Sequence, residues 1–291
     1  MSENRSRRPF ADAVPSSTGR LLRPIFMVLL ASIGGFHATG SPFIGVVMFF
    51  FAMIGALADV FANIILVPPF LQNGDVNSGL CMDKAKLPTY WDSATICGPS
   101  AFNYRYSEVE IPMRGKFLRG WLIRPAGASK AIIILSHGAG RDRRTWMRHC
   151  KFLIANGYTC LTYDSRNHGI SDRYGAAGTS LGVLEWHDVA AVTRWAKESS
   201  PVGTKIVLMG TSTGASSSII AAAADELCAS SVSCVVAENP FTSPGELAAA
   251  LTDGPGMRTM VCRGNATAYA ALLPIRVAVT AAVKAQVGAR L

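Results

Sequence analysis

Two long apolar stretches open the chain, and from Tyr106 onward short apolar runs alternate with segments of helical period. Phe43 to Leu66 is apolar apart from Asp59 and Asn63. As a helix rising 1.5 Å per residue it measures about 36 Å, enough to cross a bilayer. The earlier run, Ile25 to Phe36, covers only about 18 Å as a helix and is too short to span alone. Pro68-Pro69 ends the apolar stretch, and Gln72 to Arg105 reads as a polar connector.

Past the connector, Tyr106 to Met113 and Lys116 to Ile123 alternate around a turn at Gly115, which predicts an antiparallel pair at one end of a sheet. Ala131 to Leu135 is continuously apolar, as a strand covered on both faces must be. A helix is expected over Arg143 to Ala155, then a strand over Tyr158 to Tyr163 and a helix over Leu184 to Lys197. Strand Lys205 to Met209, a helix from Ala215 to Ala224 and strand Ser233 to Ala237 follow. Such alternation implies a doubly wound, mostly parallel sheet. The chain thus divides into a basic N-terminus (1–24), a membrane segment (25–69, main span about 43–66), a connector (70–105), an α/β core (106–247) and an alanine-rich tail (248–291) without clear strand signals.

At the junction of the penultimate strand and its helix stands Gly210-Thr211-Ser212-Thr213-Gly214. A serine on so tight a strand-to-helix turn needs glycines two residues either side, because side chains there would collide where the backbone doubles back. The same turn aims the Thr213 N–H at a developing oxyanion. Ser212 is therefore the candidate nucleophile.

Composition narrows the setting. With 49% hydrophobic and only 16% charged residues the chain is too apolar for an ordinary soluble protein, and the excess lies at the N-terminus. The net charge of +9 is dispersed, without a basic stripe interleaved with aromatics, so no nucleic-acid partner is expected. Arg5, Arg7, Arg8, Arg20 and Arg23 precede both apolar runs and favour a cytosolic N-terminus. One crossing, the favoured reading, places the body outside the cytosol; a hairpin made with the shorter run returns it. Seven cysteines show neither C-x-x-C nor zinc spacing, so no metal and no cofactor are expected. Cys81 and Cys97 close a disulfide if their segment is extracytosolic, or stay as buried thiols.

Four features together give the chain a resemblance to the α/β-hydrolase superfamily, and within it to membrane-anchored, serine aminopeptidase-like hydrolases. They are His137-Gly138 after the third strand, Asp164, Arg166, Gly169 and Ser171 after the fourth, the helix with Glu185 and Asp188, and the turn at Ser212. The likeness covers about Tyr106 to Leu247. It implies an oxyanion hole from the backbone N–H groups of Ala139 and Thr213, with Gly138, Gly210 and Gly214 as turn glycines. It implies hydrolysis of an ester, thioester or amide through an acyl-enzyme, on a small-molecule, lipid or peptide acyl substrate. Asp164 and Arg166 are assigned to bracing the sheet edge and loops.

The family places its acid and then its base after the serine. Here the last histidine is His187, and no Asp, Glu or His follows Asp253. Glu238, closing the strand Ser233 to Ala237, is the candidate acid. His168 is a candidate for substrate contact or a loop hydrogen bond rather than for the base, since its strand sits two positions from that of the serine, roughly 10 Å away. The expectation is a C-terminally incomplete hydrolase or a non-catalytic scaffold of the same fold, with self-association at an exposed sheet edge. Arg141, Arg143, Arg144, Arg148 and Lys151 form either an anion-attracting cluster or a solvated helix face.

Overall fold

The structure, a computed structural model, describes residues 28, 30–31, 33–67, 98–175, 177–253 and 273–289. Cys81, Cys97 and most of the connector lie outside the described residues. Contacts divide the chain into two units, residues 1–62 with 252–282 and residues 63–251 with 283–291.

The first unit holds most of helix α1 (Pro42–Leu66), whose 25 residues span about 37 Å, and this helix is long and apolar enough to cross a membrane. Residues 33–39 are also helical; the chain reverses at Gly40, where φ is +65°, and Gly35 lies against Met48. Phe43 and Phe51 are 74% and 72% exposed, the arrangement a helix needs if its surroundings are themselves apolar.

The second unit is built on a six-stranded sheet. Its strands are β1 (Tyr106–Met113), β2 (Lys116–Ile123), β3 (Ile132–Ser136), β4 (Thr159–Tyr163), β5 (Ile206–Thr211) and β6 (Val232–Glu238), in spatial order β1-β2-β4-β3-β5-β6. β1 and β2 pair antiparallel as their alternation predicts, and β4, β3, β5 and β6 run parallel. Helices α2 (Met147–Ala155), α3 (Trp186–Glu198), α4 (Thr213–Ala224) and α5 (Glu226–Ser231) make the crossovers.

Residue alternation explains why both faces need covering. Ile132 and Ile134 enter one core with Leu161, Leu208 and Val189, while Ile133 and Leu135 enter the other with Trp146, Met147 and Cys150. A strand apolar at every position can bury itself only between two helical layers. The chain leaves β3 towards β4 and, from β4, crosses back to β5 on the other side of β3. Loops after β3 and β5 therefore part company, and the crevice at the carboxyl ends of these two strands is the position where sheets of this kind bind ligands.

Two local outcomes differ from the sequence expectation. The helix expected from Arg143 begins as a 3-10 turn, Arg143–Trp146, because Asp142 caps it by accepting the Arg144 N–H at 2.9 Å. The tail read as lacking clear elements carries α6 (Pro244–Asp253) and α7 (Leu273–Gly288). Both are alanine-rich, the composition that favours helix most, and α6 opens with Pro at its first turn and a Ser243 hydroxyl accepting the Glu246 N–H. Cys150, Cys160 and Cys228 are buried thiols.

Candidate active site

Between the last residue of β5, Thr211, and the first of α4, Thr213, a single residue makes the whole reversal. That residue is Ser212, at φ 52° and ψ −120°, a conformation that L-residues hold only where the surroundings enforce it. Enforcement comes from both sides. The Ser212 N–H donates to the Glu238 carbonyl at 2.9 Å, and the Ser212 carbonyl accepts the Ser216 N–H at 3.0 Å. A Cβ at Gly210 would run into the Gly214 carbonyl, and one at Gly214 into the Ser136 carbonyl. Glycine at both positions lets the strand, the helix start and the neighbouring β3 touch through their backbones.

The loop after β3 meets this corner directly. A Cβ on Gly138 would stand 3.3 Å from the Ser212 Cβ and 3.8 Å from its Oγ. Among the described residues no protein acceptor takes the N–H of Ala139 or of Thr213. An uncommitted N–H on the residue after the serine and another on the loop that meets the corner are groups of the kind an oxyanion-binding pair uses.

The loop itself is held by two histidines. His137 Nδ1 faces the Gly138 carbonyl at 2.8 Å and its Nε2 accepts the Ser165 N–H at 3.0 Å. His168 Nδ1 faces the Arg166 carbonyl at 2.7 Å and its Nε2 accepts the Gly140 N–H at 3.3 Å. A nitrogen facing a carbonyl must carry the proton and one receiving an N–H cannot, so both rings are neutral Nδ1–H tautomers. Burial pushes both pKa values down, that of His168 to about 4 with help from the neighbouring His137. Of the two candidate roles for His168, the structure places it in the loop hydrogen bond.

Charged side chains beneath the loops are held by internal partners. Asp188 on α3 receives the Arg166 guanidinium at 2.7 Å and 2.9 Å and its backbone N–H at 2.9 Å. Asp164 accepts the N–H groups of Arg143 and Ile170 at 2.8 Å and 3.1 Å. Burial pushes both carboxyls up to about 6 against the pull of Arg166 and Arg143 respectively. Glu185 is buried without a cation; burial alone would raise it, yet the Ser180 hydroxyl, the Ser180 N–H and the Gly182 N–H hold it below the usual range. The sequence marks Glu185 only as part of a helix; its cradle of donors depends on how the 179–182 loop closes, which spacing does not reveal.

Two members of the basic cluster fit neither of its expected readings. Arg143 is fully buried, its guanidinium 4.1 Å from the Trp121 ring centre and paired with Glu108 at 3.2 Å. Arg144 is tied to Asp142 at 2.6 Å. Glu238 brings its backbone to the site, while its side chain is exposed at the end of β6. His149, exposed in the first turn of α2 with its ring edge-on to Trp146, is lowered by partial burial and raised by the Glu238 charge. No imidazole among the described residues is hydrogen-bonded to Ser212.

A model described as the alpha/beta hydrolase family matches residues 133–287. Among solved structures the chain is similar to an esterase of Pyrococcus furiosus, at 24% identity and TM-score 0.47, covering 63% of this chain and 65% of that one. It is also similar to the alpha/beta hydrolase GrgF of Penicillium sp. sh18, at 27% identity and TM-score 0.41, covering 56% and 53%, and to a carboxyl esterase of Bacillus coagulans, at 16% and 0.42, covering 55% and 51%. The chain thus spans less than two thirds of the length of each. No curated protein sequence matches it.

A histidine kept neutral in the folded chain and free to protonate when unfolded contributes stability that is complete above its unfolded pKa of 6.5 and lost as pH falls through about 4. Asp164 and Asp188, raised to about 6, act in the opposite sense, so the total slope mixes the two. The contribution of His168 is isolated by difference. Urea unfolding of wild type and His168→Gln across pH 4 to 7 is expected to show the wild type losing up to about 3 kcal/mol more than the variant over that range.

Proposed function

This chain belongs to the alpha/beta hydrolase family, and from that premise we propose that it is a serine hydrolase whose nucleophile is Ser212. The observation that carries the reading is the strained corner at Ser212 set against the free N–H groups of Ala139 and Thr213. Ser212 Oγ attacks the carbonyl of an ester, thioester or amide and its proton passes to a base; the negative charge forming on the carbonyl oxygen is held by the two N–H groups. Collapse of the tetrahedral species expels the leaving group with a proton, and water then releases the acyl group from Ser212. His137 and His168 are not that base, because both nitrogens of each ring are committed to the backbone. Glu238 is assigned as the acid, and the substrate is a small-molecule, lipid or peptide acyl compound.

The same committed histidines favour a second reading, a binding protein or scaffold that retains the corner without the chemistry. A fluorophosphonate probe separates the two. Wild type is expected to label and Ser212→Ala to stay unlabelled, with turnover falling by up to about 10⁶-fold where a complete triad operates. Absence of labelling in a folded wild type favours the scaffold.

In this proposal α1 anchors the protein with its N-terminus in the cytosol and the body on the other side. Asn265-Ala266-Thr267, an acceptor pattern outside the described residues, then carries glycan, and glycosidase treatment increases gel mobility. Unchanged mobility points to the hairpin arrangement. The proposal extends to self-association through β6, which among the described residues pairs only with β5 and leaves Val236 45% exposed. Val236→Lys is expected to shift sedimentation towards the monomer; an identical profile removes this part.

A further inference from the structure

At the opposite end of the sheet from Ser212 lies a cleft of about 640 Å³, bounded by the first residues of β3 and β4, the end of β2 and the 199–205 turn before β5. The length of β5, six residues or about 20 Å, separates it from the serine corner. Its volume falls within the range of small-molecule sites.

Its charge is one-sided. Arg105, Arg124, Lys130 and Lys205 line it, from three separate segments, and among the described residues no carboxylate does. Among the described residues none of the four makes an ion pair. Arg124 donates to the Ser107 hydroxyl at 2.9 Å, and Lys130 lies 5.8 Å from the Tyr158 ring centre, contacts that orient these cations without neutralising them. Ser199 and Ser200 add hydroxyls bonded to no protein group among the described residues.

Complementing helix dipoles does not account for this concentration. Helix α3 ends at Ser199 in the cleft and α2 ends beside Gly157, against which the Lys130 stem packs. Two helix ends supply about one negative charge in total, against four cations. The lining of the cleft therefore carries about three positive charges that repel one another unless an anion joins them.

We propose that this cleft is a binding site for a phosphoryl-bearing anion of at least two charges, independent of the chemistry at Ser212. Two guanidinium groups match phosphoryl oxygens in forked geometry, the lysines supply point charge, and the serine hydroxyls donate to remaining oxygens. The phosphoryl group comes either from a free phosphate ester or from a lipid headgroup.

The test uses the full chain in phosphatidylcholine nanodiscs, titrated calorimetrically with inorganic pyrophosphate at low ionic strength. Saturable binding that weakens with added salt is expected. Affinity falls about tenfold or more in Arg105→Gln/Arg124→Gln and again in Lys130→Gln/Lys205→Gln, two walls of the cleft that do not touch the serine corner. Circular dichroism and probe labelling at Ser212 stay as in wild type, which keeps failure here distinct from failure of the hydrolase reading. Discs containing phosphatidic acid decide the source: suppressed pyrophosphate binding assigns the headgroup, and unchanged binding assigns a free ester. No saturable binding in phosphatidylcholine discs, or equal affinity in both folded double variants, overturns the proposal.

Discussion

A backbone-to-backbone approach at Gly210 and Gly214 is what the rest of the structure is arranged around. With no Cβ at either position, β5 and the start of α4 close on each other and on the Ser136 carbonyl of β3. The reversal is then completed in one residue, and that residue is forced to positive φ. Parallel pairing on both sides of β5 fixes where this happens: Ser136 lies opposite Gly210 and Glu238 opposite Thr211. The corner, the loop after β3 and the end of β6 are consequently brought to one rim by register alone.

Such a corner stores strain, and the surrounding polar network is what keeps it from relaxing. His137 and His168 stitch the loop after β3 to the loop after β4, each using both ring nitrogens on backbone partners. Below them, Arg166 and Asp188 satisfy one another, and Glu185 is solvated by hydroxyls and N–H groups in place of water. Buried charges without such partners would cost several kcal/mol each, so the network is either complete or destructive. The consequence for chemistry is specific. The imidazoles of the loops beside Ser212 are structural, and their neutrality is a requirement of the loops they hold.

The two ends of the sheet differ in how charge is handled. At the Ser212 end the buried arginines are matched with Asp164, Asp188 and Glu108. At the other end four cations line a cleft to which no described residue brings a carboxylate. The fold pairs Arg143 and Arg166 closely in its interior, and among the described residues it leaves Arg105 and Arg124 without an acidic partner at its opposite rim.

Period and punctuation in the chain determined the elements. Largely apolar runs specified β3 and β4 to within one residue and β5 to within two, because a strand covered on both faces admits few polar positions, and the glycines around Ser212 specified the corner because only they permit it. Helices α6 and α7 were not legible, since alanine-rich segments carry little amphipathic contrast. The committed histidines and the burial and pairing of Arg143 were decided by tertiary structure. Whether an imidazole is a free base or a loop tie depends on which carbonyl and N–H face its two nitrogens, and those partners lie 28 residues away across the sheet for the N–H donors. Local sequence sets what a side chain is able to do; the fold, by surrounding it, sets which of those capacities remains unused.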